Sequence, residues 1–369
     1  MNGRRWDVFC RVVDNYGDAG VCWRLARQLA AEHALDVTLW IDSLATLARF
    51  APAIDPHESI QSAAGVSVRK LDDDPPVPGL PDVVVEGFGG GLPPRYLDAM
   101  AAAATAPLWI NLEYLSAEPW VDTVHGLASV QPRLPLTRYF WFPGFTPHTG
   151  GLIREAGLAG RRDEWQAREA GRTDALRIVL FCYPNRALAA LFDAWSESDE
   201  RIACIVPEGV ATAALDRWLH GNVPHAGQSV VRGRLALDVR AFVTQDAFDR
   251  LLWDADVNFV RGEDSFVRAQ WAARPFIWQP YRQDEDVHRL KLDAFLARYE
   301  AGLDGVTRRS LSAFWQAFDA EDAGAAVAAW PAFRAAIPIL AAHGRRWANE
   351  LEALPDLATR LVGFAGLRL

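Results

Sequence analysis

The stretch Trp6-Asp-Val-Phe-Cys-Arg-Val-Val-Asp-Asn-Tyr-Gly-Asp-Ala-Gly-Val-Cys-Trp-Arg-Leu-Ala-Arg-Gln-Leu-Ala30 decides the fold. Val8 to Val13 is a short apolar run, and Asp14-Asn15-Tyr16-Gly17-Asp18 follows it. Val21, Leu25, Leu29 and Ala30 then recur at helical spacing. That order predicts a buried strand, a glycine-bearing turn with two acids, and an amphipathic helix. A first strand–turn–helix places its turn at the carboxyl edge of a sheet, where open α/β folds bind ligands.

The same rhythm continues outward. Asp36–Ile41 reads as a strand, with Asp42 or Ser43 capping a helix from Leu44. Gly65–Leu71, Pro81–Glu86 and Leu108–Glu113 read as further strands, and Tyr96–Ala104 as a helix. Arg138 to Gly151, rich in aromatics, proline and glycine, interrupts the pattern and predicts a domain junction. A polar helix, Arg154–Arg172, comes next. The rhythm restarts with strands at Leu176–Tyr183, Ile202–Val206, Asp256–Val260 and Phe276–Gln279, and a weaker one from Val230 towards Val243. Helices are predicted at Asn185–Trp195, Val210–Trp218, Gln245–Asp254 and Asp264–Ala273, and a helical tail from Leu311. Alternation of this kind predicts α/β folding with two Rossmann-like, doubly wound domains. Two such halves facing a cleft, with a helical C-terminal tail, describe the GT-B architecture of nucleotide-sugar glycosyltransferases. The expected boundaries are 1–150 for an acceptor-side domain, 151–172 for a linker helix, 173–335 for a nucleotide-sugar domain and 336–369 for the tail.

Composition narrows the class. A chain of 369 residues exceeds one typical core. Its net charge of −9 argues against sequence-independent nucleic-acid binding. Cys10, Cys22, Cys182 and Cys204 form no C-x-x-C pair, so buried free thiols in a reduced, cytoplasmic protein are expected. No apolar segment reads as long enough to span a membrane, and the scattered histidines predict no metal site.

Two stretches carry candidate chemistry. Val260-Arg-Gly-Glu-Asp-Ser265 lies between a strand and a helix whose free N–H groups make a natural phosphate seat. Arg261 adds a bidentate cation and Ser265 a hydroxyl, whereas Glu263 and Asp264 would repel a diphosphate unless one is directed elsewhere. Phe181 and Tyr183 end the restarted strand, where aromatics stack on a nucleobase or bond a phosphate. Gln245 and Phe248 share a helical face and by themselves imply a cap and a packing residue. Asp14 and Asp18 flank Tyr16-Gly17; helix capping accounts for one acid, and a general base supported by a second charge accounts for both.

The run Phe9–Leu29 together with Val260–Trp271 strongly resembles the EarP family, the protein-arginine rhamnosyltransferases of bacterial elongation factor P. The resemblance implies a GT-B fold and inverting transfer of rhamnose from dTDP-β-L-rhamnose, with no further cofactor. The implied acceptor is one arginine of elongation factor P, whose modification supports translation of proline stretches. It also implies Asp18 as general base, Asp14 as its companion and Glu263 as an acid needed for activity. Asn15, Tyr16, Gly17, Tyr183, Gln245, Arg261, Gly262, Asp264 and Ser265 become substrate-binding positions. Phe181 and Phe248 flank the thymine, and Tyr281 reaches the diphosphate. Ala19 departs from the isoleucine of the family's pattern. Other GT-B activities, such as an epimerase or heptosyltransferase, and a non-catalytic nucleotide-sugar module are the competing readings. Neither a membrane nor a nucleic acid is an expected partner.

Overall fold

The computed structural model describes residues 4–13, 16–169, 174–282 and 287–369. The chain divides into one unit of Met1–Ala156 with Leu351–Leu369, and a second of Gly157–Glu350.

The first unit runs β1 (Arg5–Cys10), α1 (Gly17–His33), β2 (Asp36–Ile41), α2 (Leu44–Ala48), β3 (Ile60–Ala63), β4 (Val66–Lys70), β5 (Val83–Gly87), α3 (Pro94–Ala102), β6 (Leu108–Leu112), α4 (Val121–Val124), β7 (Ala128–Val130) and β8 (Thr137–Trp141). Its sheet has the order β3-β4-β2-β1-β5-β6-β8-β7. The strands from β4 to β8 in that order are parallel, and β3 and β7 close the edges antiparallel. β5 and β6 are buried at every position, as parallel strands covered on both faces must be. The chain moves from β1 through β2 to β4, then returns to lay β5 on the other side of β1. The carboxyl ends of β1 and β5 therefore form a switch point, and α1 starts there.

The second unit runs α5 (Leu158–Glu169), β9 (Ala175–Leu180), α6 (Leu188–Ser196), β10 (Arg201–Pro207), α7 (Thr212–Leu219), β11 (Ser229–Arg232), β12 (Leu235–Arg240), α8 (Gln245–Asp254), β13 (Val257–Arg261), α9 (Asp264–Ala272), β14 (Phe276–Gln279), α10 (Val287–Tyr299), α11 (Gly305–Asp319) and α12 (Ala323–Glu352). The order β11-β12-β10-β9-β13-β14 is parallel apart from β11. Its switch point lies between β9 and β13. Aromatic rings fill this core: Phe295 meets Phe266, Phe276, Trp278, Tyr299, Trp315 and Trp347. Phe314, Trp315 and Phe318 are fully buried on one face of α11, as their spacing predicts. The last helix, α13 (Leu357–Gly366), belongs to the first unit and packs on α1.

Four sequence expectations are corrected. The segment 138–151 is no junction at its start, because β8 lies within it and completes the parallel set. Four of the five β8 residues are only half-buried, so the strand lacks the apolar run that marks its neighbours. The chain crosses to the second unit only at Ala156, and residues 336–369 divide between the units rather than forming a tail. The single weak strand from Val230 is a hairpin, β11 and β12, folded at Gly233 with φ 57°. Finally, Ala323–Gly366 does contain a window of mean hydropathy 1.5, long and apolar enough by composition to cross a bilayer. Ala326, Trp330, Phe333, Ile337 and Leu340 form its buried stripe, and Trp330 and Phe333 pack their rings on Phe314. That is the pattern of a core-packing helix.

His125, between α4 and β7, accepts the Phe142 N–H through Nδ1 at 3.1 Å and packs edge-on against Trp141. Burial, helped by the charge of Arg360, lowers its pKa to about 4. The unfolded chain binds that proton near the usual 6.5 and the folded chain does not. Stability present above about pH 6.5 is therefore lost as pH falls towards 4. Thermal melting followed from pH 7 to 4.5 is expected to fall less steeply in His125→Gln than in the parent.

Candidate active site

The carboxyl edge of the second sheet gathers most of the predicted residues. β13 ends at Arg261, and Gly262 turns the chain with φ 58° directly into α9. Gly262 donates its N–H to the Gln279 carbonyl at 3.2 Å, and its own carbonyl accepts Trp278 Nε1 at 2.7 Å. Ser265 Oγ accepts the Arg261 N–H at 3.0 Å and donates to the Arg261 carbonyl. Its hydroxyl therefore shapes the turn.

Arg261 is held over two rings. Its Cζ lies 4.6 Å from the centre of Phe181 and 4.9 Å from that of Tyr183, and Nη1 donates to the Cys182 carbonyl at 3.3 Å. Phe248 meets Phe181 edge-on at 5.1 Å, and the half-exposed Tyr281 meets Tyr183 at 5.8 Å. Thr244, rather than Gln245, caps α8, accepting the Ala247 N–H. Gln245 instead donates to Asp264 Oδ2 at 3.3 Å. One acid of the Glu263-Asp264 pair is thus directed to a neighbouring helix, which relieves the repulsion a diphosphate would meet. Glu263 occupies the N-cap position of α9 without a side-chain cap bond.

One turn along α9, the buried Arg268 forms a bidentate pair with Asp249 of α8, at 2.8 and 2.6 Å. The two helices are fixed together by it, and so is the head of α9.

In the first unit, Tyr16 holds the N-cap position of α1 without a side-chain cap bond, and Gly17 is its first residue. Asp18 lies in the first turn, 1% exposed, and its Oδ2 accepts the Val13 N–H at 2.8 Å. It ties the loop back to the helix instead of capping a helical N–H. Asp14 and Asn15 lie outside the described residues. Cys10 and Cys22 pack beside this turn; the Cys22 hydrogen bond, burial and Asp18 together push the Cys10 thiol well up. All four cysteines are buried and free, as expected.

Sequence reasoning missed two groups. Gln279, 1% exposed, accepts the Tyr183 N–H through Oε1 at 3.0 Å; it stood in the motif Gln279-Pro-Tyr281 but read only as a strand end. Beside Arg261, a cavity of about 680 Å³ is bordered by Arg186, Arg217 and Arg282. Glu321 pairs with Arg282 at 2.7 Å and Arg186 at 3.7 Å. These arginines come from the β9–α6 connection, from α7 and from the segment after β14, so no local cluster announces them.

Two doubly wound units with their site residues at carboxyl edges define a GT-B glycosyltransferase. A solved EarP structure, described as mediating arginine glycosylation of translation elongation factor EF-P, matches at a TM-score of 0.70 and 35% identity, covering 99% of this chain and 100% of that one. The family description "Elongation-Factor P (EF-P) rhamnosyltransferase EarP" matches residues 6–366. The chain belongs to the EarP family. The protein-arginine rhamnosyltransferase of Pseudomonas putida is 47% identical over 97% of this chain and 98% of that protein. Its Pseudomonas aeruginosa counterpart is 44% identical over the same shares.

Removing one partner of a buried ion pair leaves the other charge uncompensated. Asp249→Ala is expected to cost about 3–5 kcal/mol, read as a lowered urea midpoint for the second unit.

Proposed function

We propose that the chain transfers rhamnose, with inversion, from dTDP-β-L-rhamnose to an arginine side chain of elongation factor P in the cytoplasm, supporting translation of proline stretches. The observation that carries this reading is Arg261, stacked between Phe181 and Tyr183 at the head of α9. Aromatic rings, a guanidinium and a helix N-terminus together suit a nucleoside diphosphate.

The chemistry has two demands. A guanidinium with a pKa of about 12 or higher is a poor nucleophile and needs a carboxylate to orient it and take a proton. As one of its nitrogens bonds to the anomeric carbon, the bond from that carbon to the diphosphate oxygen breaks. One N–H proton passes to Asp18, and the product keeps its positive charge. Asp14 is assigned to hold the incoming cation, and Glu263 to act from the donor side. The departing dTDP gathers negative charge, met by Arg261, the N–H groups of α9 and the Tyr183 hydroxyl. Inversion needs base and leaving group on opposite faces of the sugar, and this reading assigns one to each unit. No step of this scheme uses a metal.

The test is intact-mass analysis of elongation factor P after incubation with this protein and dTDP-rhamnose. One added deoxyhexose is expected, undiminished by EDTA; no addition to a folded acceptor by donor-loaded protein would sink the proposal. Asp18→Asn retains an acceptor for the Val13 N–H but loses the base. Transfer is expected to fall at least about 100-fold, with dTDP-rhamnose affinity little changed by calorimetry. Tyr183→Ala should instead lose most of its effect in donor affinity.

A further inference from the structure

Gln279 ends β14 in register with Arg261 of β13. It joins three strand ends: its carbonyl takes the Gly262 N–H, and its side-chain Oε1 takes the Tyr183 N–H. The second bond fixes the amide's orientation, because only oxygen accepts there. Its Nε2 must then be the other branch, and that buried NH₂ has no hydrogen-bond partner. Neighbouring carbonyls are already engaged: that of Gly262 by Trp278 Nε1 and that of Trp278 by Trp315 Nε1. Leaving a buried donor unsatisfied is costly, and a native protein keeps such a group where something else uses it.

We propose that Gln279 is a binding and positioning residue of the donor site. Through Oε1 it holds Tyr183, and through Nε2 it donates to an anionic oxygen of the nucleotide-sugar diphosphate. The inference rests on the nucleotide-sugar reading above. The amide lies at the strand edge between Tyr183 and the Arg261–Gly262 turn. Tyr281, exposed by half, closes on Tyr183 from the solvent side. Rotation of those two rings opens the path to Nε2, so the donor's arrival exchanges ring contact for a charge-assisted hydrogen bond.

Gln279→Glu separates the two roles. A carboxylate still accepts the Tyr183 N–H, but it offers no donor and adds charge facing the diphosphate. The full-length protein is titrated with dTDP and with dTDP-rhamnose by calorimetry, alongside melting temperature. A loss of about 10- to 100-fold in affinity for both ligands is expected at pH 8, with melting close to the parent. The loss should shrink at pH 5.5, because a buried carboxyl regains a proton and donates again; a purely structural role predicts no such recovery. Unchanged affinity at pH 8 overturns the proposal. A loss for dTDP-rhamnose alone overturns the diphosphate assignment in favour of the sugar. If Gln279→Glu fails to fold, Gln279→Met, matched in size, decides by the same titration at pH 8: parent-like affinity overturns the proposal and weakened affinity sustains it. Failure of the parent protein to bind either ligand would refute the nucleotide-sugar reading itself, a result distinct from any difference between parent and variant.

Discussion

A single backbone constraint at Gly262 underlies the carboxyl edge of the second sheet. β13 passes into α9 with almost no loop, which requires one residue near φ 58°. For a residue with a Cβ, that conformation costs about 1–2 kcal/mol. Because the turn is so tight, its polar groups are satisfied locally, by Ser265 Oγ, Trp278 Nε1 and the Gln279 carbonyl. The Arg261 guanidinium is then delivered to the face where Phe181 and Tyr183 follow the end of β9. The Arg268–Asp249 pair and the Gln245–Asp264 bond prevent α9 from sliding along α8.

The first unit repeats the architecture with opposite chemistry. Its switch point is also tightly built: a Cβ on Gly87 would lie 2.8 Å from the Phe9 carbonyl and 3.0 Å from Cys22 Sγ. β5 and α1 close on β1 there because glycine and cysteine are small. The same strand–turn–helix plan then presents Asp18 where the second unit presents Arg261. Separating carboxylate and guanidinium onto different units keeps them from neutralising one another within one turn.

Largely buried elements were legible from sequence: strands β2 and β14 and helix α8 fall where their periodicity places them, and β5, β6 and β13 within a residue or two. The antiparallel edge strands were not. β3, β7 and β11 are short, antiparallel and partly exposed, so neither apolar runs nor alternation distinguishes them from loops. Half-buried β8 was hidden among proline and glycine for the same reason. Near the second sheet's carboxyl edge, the placement of Arg261, Tyr183 and Phe248 was legible because a strand end and a helix face place side chains predictably. The roles of Ser265 and Gln279 were not, since each depends on which backbone group happens to lie opposite. Arg186, Arg217 and Arg282 converge only through tertiary folding.

Those arginines bear on how an acidic chain can still carry a local positive edge. Net charge is −9, yet among the described residues Arg186, Arg217, Arg261 and Arg282 border one cavity together with Asp216 and Glu321. At physiological salt, charges more than about 8 Å apart in solvent are largely screened. The ligand at the cavity mouth therefore responds to the local excess of guanidinium, not to the total. Low-dielectric walls of alanine and proline strengthen that local field. Glu321 has a further part in this balance. By pairing with Arg282 and Arg186 it lowers the cost of holding the two cations close together before any anion arrives. The positive edge is thereby stable enough to be preformed, and the binding of an anion need not drive its assembly.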